Sequence, residues 1–278
     1  MALPKKSSTT TTTQVNSWDK ELAEQAENYS AQESSTVGGQ FFNLRNGQLT
    51  FGGTSMPNNE IACIILDGIM ENVLYEGAFD PDNPTSPTCF AFGRDEKEMA
   101  PHEIASSPQC ENCSGCEKNQ WGTAAKADGR PGKGKACRNT RRLAVIIAGN
   151  FLNGQLQQIT DAEHFEQAKI AYMKLPVTSV KSYSGYVKSI GGAHQRPPHG
   201  MITRIKTVPD AKNQFSVQFE ALAKVPNNIM ETIMRRHKEA TEEIEFPYQP
   251  VREVEEPTPA PALSRSKTPA KAPAKRKY

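Results

Sequence analysis

The sequence predicts an α+β fold: a small antiparallel β-barrel, closed or half-closed, with helical additions and a cysteine-rich insert. Three observations lead there. Short β-rich runs surround turn signals, of which Asn46-Gly47 is the strongest. Met201 to Val208 and Gln214 to Leu222 alternate apolar with polar residues and are joined by Pro209 to Asn213, which reads as a hairpin. Between strand-like segments lies a polar stretch, 93–137, with too few aliphatic residues to form a core unaided.

Taken in order, Trp18, Leu22, Ala26 and Tyr29 place an amphipathic helix near 17–31. Phe42, Leu44, Leu49 and Phe51 flank the first hairpin turn. Glu60 to Phe79 is too rich in Ile and Val to favour a helix. A break at Pro81, Pro84 and Pro87 precedes a short strand, Cys89 to Phe92, and Arg142 to Ala148 is a buried strand by composition. A short helix is expected near 161–168 and a strand or connector at Ala171 to Leu175. Val180, Tyr183, Val187 and Ile190 then fall at helical spacing, with Thr178 or Ser179 as cap and Gly191-Gly192 as stop. A last helix opens at Asn227 and carries Ile229, Ile233, Ala240 and Ile244 on one face.

The domain plan is an N-terminal arm over 1–37, mostly disordered, a folded domain over 38–248 with its insert at 89–142, and a Pro/Ala/Lys tail over 249–278. The 278 residues carry 33 Lys+Arg against 31 Asp+Glu, a balance that hides uneven placement. Six basic residues and no acid lie between Gly129 and Arg142, seven Glu against one Arg between Glu239 and Glu256, and six basic residues again after Leu263. Local sign governs attraction to a polyanion, because salt screens charges beyond about 8 Å. The longest apolar runs fall well short of the roughly 18 residues of a membrane span, and the N-terminus lacks the apolar stretch of a secretory signal. A cytoplasmic location away from any membrane is expected.

Five of the six cysteines fall in one window, spaced C-x20-C-x2-C-x2-C-x20-C at Cys89, Cys110, Cys113, Cys116 and Cys137. In a reducing compartment such spacing points to metal rather than disulfides. Two thiolates on a tight turn can both reach one ion about 2.3 Å away, and a flanking pair completes a tetrahedron. Structural zinc is the expected cofactor, held by Cys113, Cys116, Cys137 and either Cys89 or Cys110. Cys89 is preferred because ligands at both strand ends would close the whole excursion; His102 is a distant candidate. An iron–sulfur cluster is the rival, although Glu117-Lys118-Asn119 stands where ferredoxin-type runs place their next cysteine and proline. Cys63, within an apolar run, reads as a buried small hydrophobe.

Around Cys137 the chain alternates glycine with cations: Lys133, Lys135, Arg138, Arg141 and Arg142. Glycines let backbone approach phosphates while the cations supply charge. No G-x4-G-K-[ST] is present, so this is no P-loop. Trp121, in the same insert, is either a plug beside the metal or a stacking platform for bases. One of Phe41 and Phe42 is expected to face outward, with Arg45 on the same hairpin. Outward aromatics beside a cationic groove suit single strands, whose bases are free to stack.

The segments LRNGQLTFGG, PTCFAFG, CSGCEKNQWGTA and GKGKACRNTRRLAVI resemble a family of tailed-bacteriophage proteins, similar in organisation to phage single-stranded-DNA-binding proteins. The likeness covers about residues 38–225 and is specific over 89–147. It matches Cys89, Cys113, Cys116 and Cys137; Cys110 falls outside the pattern, and Glu117 stands where many members have Pro. The resemblance implies an OB-like antiparallel β-barrel core with a cysteine-rich zinc insert. It further implies a role beside DNA in phage replication, recombination or transcription, in the host cytoplasm.

The five histidines are scattered, with no H-E-x-x-H, no G-x-S-x-G and no H-x-E paired with P-C-x-x-C, and Asp80 and Asp82 read as turn residues. The expectation is a non-enzymatic, zinc-containing binder of single-stranded DNA, contacting it through Arg45, Trp121, Lys133, Lys135, Arg138, Arg141 and Arg142. Phage polymerase or recombination proteins and further copies of the chain are the other expected partners. The competing readings are an adaptor that recruits a viral polymerase or recombinase through the metal knuckle, and an iron–sulfur redox protein.

Overall fold

The computed structural model describes residues 21, 22, 25, 41–77, 85–126 and 129–248. Glu21, Leu22 and Gln25 are helical, at positions inside the helix expected over 17–31; the rest of the arm through residue 40 and the tail over 249–278 lie outside the described residues. The strands are β1 (Phe41–Arg45), β2 (Gln48–Phe51), β3 (Thr54–Ser55), β4 (Glu60–Leu74), β5 (Cys89–Gly93), β6 (Arg138–Leu152), β7 (Gln155–Gln158), β8 (Ala171–Leu175), β9 (Met201–Asp210) and β10 (Gln214–Lys224). The helices are α1 (Ala162–Gln167), α2 (Val177–His194) and α3 (Asn227–Glu243).

The fold is α+β, dominated by one open sheet. Its path runs β10-β9-β4-β6-β8-β1-β2-β3, with β5 added beside β4 and β7 beside β6. The two ends of that path are not joined by a ladder among the described residues, so of the closed or half-closed barrel expected, the closed form gives way to an open sheet. Nor is it purely antiparallel: β1 pairs with β8 in parallel, Phe42 opposite Met173. The 15-residue strands β4 and β6 form the spine, and register shifts at Ala62/Cys63 and Ile65/Asp67 let them bend.

Alternation sorts the spine residues onto two faces, and both are covered. Ile61, Cys63, Ile65, Leu143 and Val145 pack with Phe42, Leu49 and Tyr183, Tyr186 and Ile190 of α2. Ile64, Leu66, Ala144, Ile146 and Ala148 pack on the other side with Phe165 of α1 and Ile229, Ile233 and Ala240 of α3. This double burial is why the β4 run reads as continuously apolar. Gly68 permits the approach of α2, since a Cβ there would stand 2.7 Å from the Tyr183 hydroxyl oxygen.

Local chemistry explains the boundaries. Asn46 and Gly47 take φ of 53° and 78°, the left-handed pair that a two-residue hairpin needs, and Asn153-Gly154 repeats it between β6 and β7. Asp161 caps α1 by accepting from the Glu163 amide. The expected cap of α2 is different: Pro176 occupies the N-cap position, and the helix runs through Gly191-Gly192 to end at left-handed Gln195. The Ser179 hydroxyl instead accepts from the Val217 amide of β10, the terminal strand of the path.

Candidate metal centre and nucleic-acid interface

The insert between β5 and β6 is built on the end of the spine. Cys89 opens β5 opposite Leu74, and Cys137 immediately precedes Arg138, which pairs with Val73. The two distant cysteines therefore flank the last residues of β4. The Cys113 amide donates to the Met99 carbonyl (2.8 Å), the Asn119 amide to that of Cys116 (3.0 Å), and the Cys137 amide to that of Lys118 (2.8 Å). These bonds fold the C-x2-C turn over the strand ends.

The result is a cavity of about 10 Å³ lined by all five clustered cysteines. The Cys110 thiol faces the same cavity as the Cys113 and Cys116 sulfurs. Gln109 and Asn72 line the cavity beside them, and the Asn72 amide group donates to the Met99 sulfur at 3.9 Å. Burial, and then the neighbouring sulfurs, push the Cys110 and Cys137 thiols up to about 12, and burial raises Cys89 and Cys113. Among the described residues no three His, Cys, Asp or Glu side chains are set to hold an ion as they stand. The fold thus assembles a donor set, not a coordination shell. Its chemistry fits one thiophilic cation: four or more sulfurs around space for about one water-sized sphere. His102 does not line this cavity; its ring stacks on Phe90 at 5.1 Å. Cys63 is fully buried in the sheet core.

The basic loop is hydrogen-bonded to itself. Gly122 and Ala124 amides donate to the Gly134 carbonyl, Gly132 to that of Ala124 and Lys126 to that of Arg130, with a bridge between Ala125 and Pro131. Trp121 is 78% exposed, and Lys135 Nζ stands 5.8 Å from its ring centroid. A plug beside the metal is excluded by that exposure. Lys135 also donates to Asn119 Oδ1 (3.2 Å), and buried Asn119 donates in turn to the Cys113 carbonyl (2.8 Å). A short hydrogen-bonded path therefore ties the cation beside Trp121 to the cysteine turn.

The other predicted contacts are scattered. Lys133 and Arg138 are exposed, the latter 5.7 Å from the Tyr75 ring. Arg45 is exposed on β1, outside the insert. Arg141 is half-buried and donates to the Thr140 carbonyl. Arg142 does not belong to the interface. It is 2% exposed, donates to Glu71 Oε1 through Nη2 (2.6 Å) and Nε (3.1 Å), and lies between the rings of Phe92 and Phe246. Phe41 is likewise no outward platform: it packs against Tyr172 and Phe246. Unforeseen in the sequence is a mixed cluster beside the insert, in which Tyr248 donates to Glu71 (2.8 Å), Lys174 donates to the Tyr248 oxygen (2.6 Å), and Lys174 and Arg138 flank Tyr75. Asp80 and Asp82 lie outside the described residues.

No protein-family model, no curated protein and no solved structure matches the chain.

Proposed function

We propose that this chain is a non-enzymatic single-stranded-DNA-binding protein of the tailed-phage type, built on an OB-like sheet and acting in DNA replication, recombination or transcription. One observation carries the reading: an exposed Trp121 with Lys135 alongside, on a self-bonded basic loop anchored at a cluster of thiols. A base stacks on the indole while Lys133, Lys135 and Arg138 meet phosphates. The OB-like reading draws support from the curl of the sheet, because Thr207 of β9 donates to the Gly47 carbonyl in the β1–β2 turn (2.6 Å).

Cys89, Cys113, Cys116 and Cys137 would hold a zinc ion, which when bound supplies a rigid cross-link in place of a hydrophobic core. Glu117-Lys118-Asn119, standing where ferredoxin-type runs place their next cysteine and proline, favours zinc over an iron–sulfur cluster. Asn119 positions the cysteine turn and passes that order to Lys135.

The test is a salt titration of oligonucleotide binding with metal analysis on the same sample. Expected are micromolar or tighter affinity at 50 mM salt, a steep fall with salt, and about one zinc per chain. Undetectable binding at 50 mM salt ends the reading. Capture of a polymerase or recombinase that survives nuclease treatment would point instead to the adaptor role.

A further inference from the structure

Five thiols share a cavity in which a tetrahedral zinc needs four. The surplus one is Cys110. It is the least enclosed of the five, partly exposed where the other four are buried, and it lines the same cavity as both sulfurs of the C-x2-C turn. From this excess we infer that Cys110 is a built-in resolving thiol, and that hydroperoxide converts Cys110 and Cys116 into a disulfide that dismantles the metal site. The inference rests on the zinc reading above and adds a modification site to it.

The chemistry balances with a hydroperoxide as the oxidant. The Cys116 thiolate attacks one peroxide oxygen; the O–O bond breaks, and the departing hydroxide takes a proton and leaves as water, giving a sulfenic acid. The Cys110 sulfur then attacks the Cys116 sulfur. The S–O bond breaks, hydroxide leaves with the Cys110 proton as a second water, and the S–S bond forms. Two electrons pass from the two sulfurs to the peroxide. Cys116 can no longer act as a thiolate ligand, and the Lys118–Cys137 and Asn119–Lys135 bonds that follow it in the chain lose their anchor. Cys110 and Cys116 share the cavity and one short loop, whereas Cys89 and Cys137 are held at the strand ends, and this favours the pair.

The experiment uses the full-length chain loaded with zinc and treated with hydrogen peroxide. Metal release is followed with a chromogenic chelator, and disulfides are mapped by digestion without reductant. The expected result is zinc release with a Cys110–Cys116 bridge, reversed by dithiothreitol. Cys110→Ser is expected to keep its zinc and to release it at least tenfold more slowly, with no such bridge. Equal release rates in the two proteins overturn the inference, as does any bridge other than Cys110–Cys116. A Cys110→Ser protein that binds no zinc also overturns it, by making Cys110 a ligand. If the unmodified chain holds no zinc, the metal reading fails by itself. Mapping then decides the thiol pairing, with a 110–116 bridge supporting it and any other pairing sinking it.

Discussion

Trp121 and Arg142 show opposite fates for residues of one basic, aromatic insert region. Because Trp121 is mostly solvent-exposed, its replacement should not disturb the fold; Trp121→Ala is expected to weaken oligonucleotide binding by about 1–3 kcal/mol, roughly 5- to 150-fold, with an unchanged melting temperature. Equal affinity in the two proteins would remove the stacking role. Arg142 is the reverse case. Arg142→Ala removes one of the two cations paired with the fully buried Glu71, leaving Lys174 at 3.4 Å, and is expected to cost up to about 3 kcal/mol, which denaturant unfolding would read directly. Pairing Arg142→Met with Glu71→Gln should recover much of that loss. The sequence placed Arg142 in the interface because no acid lies near it along the chain. Its partner is 71 residues away, so local charge could not reveal the pair.

At the scale of elements, the strands were legible and the insert's chemistry partly so. Turn signals and β-rich runs marked β1, β2, β4, β5, β6, β9 and β10, since doubly covered strands are apolar throughout. The β7 strand was missed because Gln155–Gln158 is polar, although Asn153-Gly154 carried the same hairpin signal as Asn46-Gly47. Cysteine spacing foretold the thiol cluster. It could not choose between Cys89 and Cys110, because both reach the cavity from different parts of the chain. Two predictions belong here. Chelation of the ion should expose the insert, 94–137, to protease while the sheet keeps its far-ultraviolet signature, because the sheet has cores of its own and the insert has almost none. Simultaneous unfolding of both would refute that independence. Charge reversal by Lys133→Glu with Lys135→Glu should weaken binding and flatten the slope of log affinity against log salt by about 1.4, two phosphate contacts' worth on a single strand. An unaltered slope would take these lysines off the path of the DNA.

At the scale of the whole molecule, acid is expected to act through two sites, a half-buried histidine pair and the buried Glu71. The His199 and His237 rings stack at 4.1 Å between the turn at Pro198–Gly200 and α3, and His237 Nδ1 meets the Leu66 carbonyl. Burial, then the charge of His237, holds His199 below the usual histidine range, with Asp67 opposing. Its neutral form is therefore the one that fits: the stability it contributes is complete above about pH 6.5 and is lost as pH falls through the lower folded value. Burial alone would raise Glu71, but Lys174 and Arg142, with the Tyr248 and Arg142 hydrogen bonds, outweigh it and hold the carboxyl low. Its contribution is present above about pH 4.3 and disappears as the folded pKa is crossed. Thermal unfolding from pH 8 to 3 should show a first decline below about pH 6.5, absent in His199→Gln, and a second below about pH 4. A single decline unaffected by His199→Gln would contradict the first assignment. Global topology was the least legible level, because alternation identifies strands but not which edges meet. The parallel β1–β8 pair and the open path both depend on contacts between segments more than a hundred residues apart. The hydroxyl of Ser179, spent on a β10 amide instead of a helix cap, has its own implication. A sheet rim with open amides invites another strand to pair with it. By taking up the Val217 amide, one serine leaves that position of the rim with nothing to offer a foreign strand.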